Sequence, residues 1–475
     1  MKNKKVVEIK NFDNFDKDAN SVNTQIFYNY KPAKELKNSL GVVNAKFPLN
    51  VTNTSEAELN ISVKGINKVE GIAYFKQYFA DSAYTSHRLI VYGDDKKVYI
   101  NQLVEDTYDL FWLHELTFNS APITLSFKKD DLDAIILASN DQMKIWRTGY
   151  SPYTIHNAPI ITSMCMNEGV LFCTIKEPAF KVWYATDLDA ENVGNISSTS
   201  GYISLEDDLG YARKIVTFDE SVYVFRDYGI SKINYVKKDI VVSQIYASNT
   251  KIYTNTVAIC GNNILFMTKE GLYSFNSVKV SKVNLNVLDN IKIDNINAVA
   301  SSLGEKYFLA LKMDFNDGKQ ILCEQQDFIN NALIVVDTHN FSFEIVRGVD
   351  IKSLLPLRTE MFEKMLVIFN SGNVNKIGEV KEISKYFEDN LPKYWLSDSV
   401  VDNTNTKLFT KLSVYADSNV KFKLLYDDKE ISFTTYKSGV NEFMFKICCK
   451  DIKLEISSVN ESAIVKKVSL DYYEY

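Results

Sequence analysis

The feature that most constrains this chain is a hairpin written twice between Ser221 and Phe275. Ser221-Val-Tyr-Val-Phe225, a turn and Gly229-Ile-Ser-Lys-Ile233 are followed about 42 residues later by Asn263-Ile-Leu-Phe-Met267, a turn and Gly271-Leu-Tyr-Ser-Phe275. Each copy is an apolar strand, a polar turn and an alternating strand, so each has apolar faces that it cannot bury alone. A period of ~40 to 50 residues is the spacing of blades around an axis, and the copies have the form of the middle hairpin of a four-stranded propeller blade.

Five further hairpins share the form. They are Leu89–Tyr92 with Val98–Ile100, Ala134–Leu137 with Met143–Trp146, Gly169–Cys173 with Phe180–Trp183, Lys306–Leu311 with Ala332–Val336, and Met365–Phe369 with Val374–Ile377. A polar insertion, Asp314 to Asn331, splits the sixth hairpin in chain order. The spacing between hairpins varies, as loop insertions on one face would make it vary. One large antiparallel sandwich is the competing expectation, but seven similar hairpins would make that sandwich very large. The fold expected is therefore all-β: an irregular β-propeller of about seven blades, with six as the other count, followed by a C-terminal β-sandwich.

The boundaries follow from changes of pattern. Residues 1–64 lack the hairpin form and are expected to be an extended arm that supplies closing strands, with a short helix or turn over Pro32–Leu40 stopped at Gly41. Residues 65–385 form the propeller, and 386–394 a linker with a short helical turn. Residues 395–475 form the sandwich, because strictly alternating strands recur there between short turns such as Asp427-Asp428 and Lys437-Ser-Gly439. Glycine is scarce, 18 in 475 residues. The turns must then rely on Asn and Asp, which tolerate positive φ.

A formal charge of −6 argues against direct nucleic-acid sequence recognition. No apolar run approaches the ~18 residues of a transmembrane helix, and the start Met1-Lys-Asn-Lys-Lys-Val-Val-Glu lacks a signal-peptide core, so neither membrane insertion nor export is expected. Cys165, Cys173, Cys260, Cys323, Cys448 and Cys449 lie on apolar strands or side by side, not at metal spacing. Buried thiols in a reducing cytoplasm are expected, with Cys448 and Cys449 on opposite faces of a strand.

The chemistry-bearing residue types form no constellation. His87, His114, His156 and His339 share no metal spacing, and His114-Glu115 has no second histidine after it. Phosphate-loop, dinucleotide and nucleophile-elbow motifs are absent. Asp314-Phe-Asn-Asp-Gly318 is a residue short of a calcium loop and reads as an Asp-Gly turn. Glu206-Asp-Asp208 and Asp130-Asp131 read as solvated turns rather than acid pairs. Arg88, Arg147, Arg213, Arg226, Arg347 and Arg358 could line a channel, but paired surface arginines are the plainer expectation. Trp112, Trp146, Trp183 and Trp395 could stack on sugars, yet Trp146 and Trp183 end strands of successive hairpins and so mark a repeated structural position. Gly229 and Gly271 read as turn positions in a scaffold. The expected set of catalytic, cofactor-binding and metal residues is none; no cofactor is called for, and the chain is expected not to be an enzyme.

Several stretches resemble the tail nozzle and head-to-tail stabilisation proteins of tailed bacteriophages. Ile9-Lys-Asn-Phe-Asp-Asn-Phe15 is similar to that family's opening, though it lacks the family's glycine and later R-x-G segment. Val182-Trp-Tyr-Ala-Thr-Asp-Leu-Asp-Ala-Glu-Asn192 and Val222-Tyr-Val-Phe-Arg-Asp-Tyr-Gly-Ile230 resemble stretches of phage-tail propellers. Tyr394-Trp-Leu-Ser-Asp398, Lys407-Leu-Phe-Thr-Lys-Leu412 and Val468-Ser-Leu-Asp-Tyr-Tyr-Glu-Tyr475 resemble the sandwich that closes many such proteins. The resemblance implies a virion structural protein, a tail or head-to-tail connection component assembled in the bacterial cytoplasm. Its partners would be other tail, adaptor or baseplate proteins and further copies of itself in a ring. The alternative is a receptor- or carbohydrate-binding tail protein that meets the host cell surface through the sandwich, and the third candidate is a propeller glycoside hydrolase.

Overall fold

The computed structural model describes residues 4–12, 24–48, 56–60, 66–188, 199–236, 239–285, 296–315, 328–359, 363–371, 374–382, 385–386, 389–390, 392–401, 405–459 and 463–474. These residues are all-β, and one 3-10 turn, Ala80–Ser82, is their only helical element.

Seven sheets follow one another along the chain, antiparallel except for one parallel pairing in the first. Sheet I holds Val69–Phe79, Tyr84–Gly93, Lys97–Val104 and Thr107–Thr117, extended by Glu56–Asn60 and Lys46–Pro48. Sheets II (123–155), III (161–204), IV (212–247), V (252–282) and VI (299–347) each take four consecutive strands. Sheet VII takes Asp350–Arg358, Glu363–Ser371 and Val374–Lys381, and its fourth strand is Gly41–Asn44 from the other end of the chain. Each of the seven hairpins forms the middle of one sheet.

The second strand of each sheet is apolar and buried along nearly all its length, as in Val170–Ile175 and Tyr307–Leu311. A strand of this kind needs cover on both faces. The core clusters supply it in circular order. Ile264 and Phe266 pack toward sheet IV, while Leu265 and Met267 pack toward sheet VI. Phe308 and Ala310 then meet Met365 and Val367 of sheet VII, whose Leu366 and Ile368 meet Leu89 and Val91 of sheet I. From sheet II to sheet VII the first strands of successive sheets also touch one another, the first strand of sheet VII touches that of sheet I, and the latter touches the second strand of sheet II.

Two more large sheets use most of the remaining chain, beside the two-stranded pairings of Tyr30–Lys31 with Lys37–Asn38 and Lys385–Tyr386 with Asp389–Asn390. Sheet VIII runs Lys4–Ile9, Val465–Glu474, Lys407–Ala416, Gly439–Cys449. Sheet IX runs Thr24–Tyr28, Lys393–Ser399, Lys453–Ser458, Lys421–Tyr426, Lys429–Thr434. Their apolar faces belong to one cluster that also takes in the contact between sheets V and VI, with Phe12, Phe27, Tyr30 and Leu36 of the arm inside it. Lys4 pairs with Asp471 at 2.6 Å, and Glu8 with Lys467, across the edge of sheet VIII.

Two local expectations are corrected. Pro32–Leu40 is not helical, because Leu36 exchanges backbone hydrogen bonds of 2.9 and 3.1 Å with Val465 and so holds its segment extended. The 386–392 stretch carries no helical turn in its described backbone; Lys385–Tyr386 pairs with Asp389–Asn390 as a small hairpin. The reliance of the turns on acidic residues is direct. Glu105-Asp106, Asp130-Asp131, Asp219-Glu220 and Asp427-Asp428 all have positive φ at both positions, the geometry of a two-residue hairpin turn matched to strand twist. Asp314–Gly318 lies mostly outside the described residues.

Candidate docking surface

The residues set aside for chemistry are spread around the molecule, and most are consumed by packing. His87 is buried, its Nδ1 2.6 Å from the Tyr74 hydroxyl, whereas His114, His156 and His339 are exposed on three different sheets or turns. Among the described residues no group of histidine, cysteine and carboxylate side chains could hold a metal ion. Cys165, Cys173, Cys260 and Cys449 are buried free thiols, and Cys448 is exposed, so the vicinal pair does straddle its strand; Cys323 lies outside the described residues. Burial pushes the Cys165 thiol up to about 12 and Cys449 up to about 11, which disfavours the nucleophilic thiolate.

Three of the tryptophans are core residues. Trp183 and Trp395 are almost wholly enclosed, Trp146 nearly so, and Trp395 donates its indole N–H to Thr24 Oγ1 at 3.0 Å. Trp112 alone is exposed, and its ring already carries the His114 ring at 3.8 Å and the Lys97 ammonium at 4.6 Å. Gly271 sits at φ 125°, as a turn glycine does. Gly229 has ordinary φ, but a Cβ there would stand 2.4 Å from the Tyr246 carbonyl oxygen, so close strand approach fixes its identity.

One constellation escaped sequence inspection. Arg226, at the end of the first hairpin strand of sheet IV, is fully buried. It bonds Asp207 at 2.5 Å and donates to the carbonyls of Gly210 and Leu205, both at 2.6 Å. Asp227 beside it takes a two-pronged contact from Arg213 at 3.1 and 3.3 Å and lies 3.5 Å from Lys251. Asp207 keeps the exposed turn position expected of it while pairing with Arg226, and Arg226 is no surface arginine. The sequence signal was two of the six arginines lying within fourteen residues of each other, each near an aspartate. The network ties the 205–212 segment to sheet IV.

Burial tends to raise both carboxylates, but hydrogen bonds from Arg226 and the Leu209 amide for Asp207, and from Arg213 and the Tyr211 amide for Asp227, bring each below the usual 3.8. A carboxylate depressed by folding stabilises above its unfolded pKa and loses that contribution as pH falls through the lower folded value. The thermal midpoint should therefore drop as pH falls below about 4. A doubly substituted chain, D207N with D227N, should show a shallower acid slope in the same scanning calorimetry; an unchanged slope would refute the assignment.

What remains on the surface are strand edges. The outer strands of sheets II, III and V are three to five residues long, and sheet VI ends on the buried Phe343–Arg347. Sheet IV ends on Asp239–Ala247, nine residues with no charge after Asp239 and with Val241 59% and Val242 40% exposed. Long apolar edges invite strand addition, and most proteins blunt them with charge, proline or brevity. Among the described residues no helix is long and apolar enough to cross a membrane.

No family model and no curated protein matches the chain. Among solved structures it is similar to the extracellular domain of the putative hybrid two-component system BT4673 from B. thetaiotaomicron, at TM-score 0.45 and 11% identity over 88% of this chain. The match spans 56% of that longer chain. BBS1N, solved in complex with ARL6DN, is similar at TM-score 0.41 and 12% identity over 72% of this chain and 97% of its own.

Proposed function

We propose that the chain is a bacteriophage virion structural protein, a tail or head-to-tail component that serves as an assembly and docking platform without catalysis. The circular order of the core clusters supports an irregular propeller of seven blades, and the shared cluster of sheets VIII and IX supports a sandwich beside it. The virion assignment itself rests on the resemblance of the arm, hairpin and C-terminal stretches. The observation that carries the docking role is the unguarded Asp239–Ala247 edge, whose exposed valines suit a neighbour that adds a strand. Neighbouring tail, adaptor or baseplate proteins would take that edge, and copies would be arranged as a ring during assembly in the host cytoplasm.

The test is co-purification of the full chain with its neighbouring gene products, with mass spectrometry of intact virions. The V241K/V242K chain should keep its melting behaviour and lose at least tenfold in affinity for the virion neighbour. Absence from virions together with no binding to any virion protein would overturn the proposal. A second function, receptor or glycan binding, is favoured by Tyr436 in the connection between Lys429–Thr434 and Gly439–Cys449, 66% exposed with its ring 6.3 Å from Phe443. Loss of binding to a glycan array in Tyr436→Ala would identify it.

A further inference from the structure

The edge of sheet VIII carries a pattern that fits itself. Gly439–Cys449 is eleven residues long, bonds Lys407–Ala416 on one side and pairs with no described strand on the other. Its centre reads Glu442-Phe-Met-Phe-Lys446. Exposure alternates along it, with Val440, Glu442, Met444, Lys446 and Cys448 outward, Val440 at 54% and Met444 at 75%.

We propose that this strand pairs antiparallel with the same strand of a second copy, about a two-fold axis at Met444. In that register Glu442 faces Lys446 of the second copy and Lys446 faces its Glu442. Met444 meets its own image, and Val440 meets the other copy's Cys448. On the opposite face Phe443 meets the other copy's Phe445. These join the cluster already formed by Phe433 with Phe443 at 5.0 Å and with Phe445 at 5.4 Å. On the outward face every facing pair is apolar with apolar or acid with base, the combinations that stabilise cross-strand neighbours, while on the inward face Asn441 meets Ile447. A shift of two residues would place Glu442 against Met444 and break the match, so the charges fix the register as well as the partner.

Glu442 also contacts Lys411 at 2.6 Å within its own sheet, and Lys446 has no ion pair among the described residues. An extra residue in the strand, opposite the Phe409–Lys411 step of its neighbour, leaves the outward alternation intact. A strand pair alone buries less than the ~1,200 Å² of a typical stable interface, so the dimer is weak in dilute solution and gains from the high local concentration of an assembly. The pairing does not depend on the virion assignment. A ring of copies that also pairs in this way would be joined to a second ring back to back.

Sedimentation equilibrium of the full chain at rising concentration tests it. The wild-type chain should dimerise in the range of tens to hundreds of micromolar, roughly that of a small wet interface. E442K and K446E should each weaken dimerisation by about tenfold or more, since each sets two like-charge pairs face to face. The doubly reversed E442K/K446E chain should recover wild-type dimerisation, which a merely damaged strand would not. In a C448S background, M444C should form an interchain disulfide under mild oxidation, while a cysteine at Val440 should not. A chain that stays monomeric to roughly 0.5 mM overturns the proposal. So does a folded double variant that fails to recover, or equal crosslinking at positions 440 and 444.

Discussion

Removing residues 1–44 is expected to abolish the folded protein rather than trim it. That segment supplies Lys4–Ile9 to sheet VIII, Thr24–Tyr28 to sheet IX and Gly41–Asn44 to sheet VII. It also takes Phe12, Phe27, Tyr30 and Leu36 out of the largest core cluster, each at most 1% exposed. Losing one buried phenylalanine costs about 3–5 kcal/mol, and whole domains are stable by only about 5–15 kcal/mol. Expression of the 45–475 chain should yield insoluble material, or soluble material without a cooperative melt by circular dichroism. A graded control is built in, since removing residues 1–10 takes away only the outer strand of sheet VIII and should cost much less. A 45–475 chain melting within about 5 °C of the full protein would contradict the role of the arm.

The second large effect is expected at Asn29, one residue that joins three parts of the chain. It sits at φ 57°, a conformation asparagine tolerates better than most residues. Its Oδ1 accepts the Arg347 amide at 2.9 Å, and its Nδ2 donates to the Pro392 carbonyl at 2.8 Å and to the Arg347 carbonyl at 3.3 Å. Its own amide donates to Ile345 at 2.7 Å. The arm, the last strand of sheet VI and the entry to sheet IX thus share one side chain. Asn29→Ala removes all three side-chain bonds from buried backbone groups and adds left-handed strain, for a loss of about 3–5 kcal/mol. Asn29→Asp should be nearly as damaging, because a carboxylate cannot donate to two carbonyls. The shift of the urea midpoint measures both, and a loss below about 1 kcal/mol for the alanine variant would show the bonds to be dispensable.

The hairpins were legible because their signal is local. A run such as Val222–Phe225 is apolar throughout, and only a strand covered on both faces needs that composition. Trp146 and Trp183 were legible for the same reason, as repeated positions in a buried layer. The partners of the arm were not. Gly41-Val-Val-Asn44 is too short to name the sheet it completes, and its neighbour lies more than 300 residues away. The parallel pairing of Glu56–Asn60 with Thr107–Asp109 is equally invisible, since no turn links the two strands. Arg226 was read by its charge, whereas its burial depends on Asp207 and two carbonyls that only the fold brings near. In each case the missing information was a long-range hydrogen bond, which leaves no mark on neighbouring residues.

The joining of the two ends in sheet VIII also sets a timetable. Lys4–Ile9 leaves the ribosome long before its partner, Val465–Glu474, is synthesised. The early strands must therefore wait, unpaired, while more than 400 residues are made, at roughly 5–20 residues per second. Sheets II to VI can form as they emerge, because their strands are consecutive. Sheets VII, VIII and IX cannot, so the last steps of folding are long-range closures that are slow and open to capture by other chains. The birth of the protein is thus its most aggregation-prone stage, and its yield in cells should depend on chaperone supply during translation.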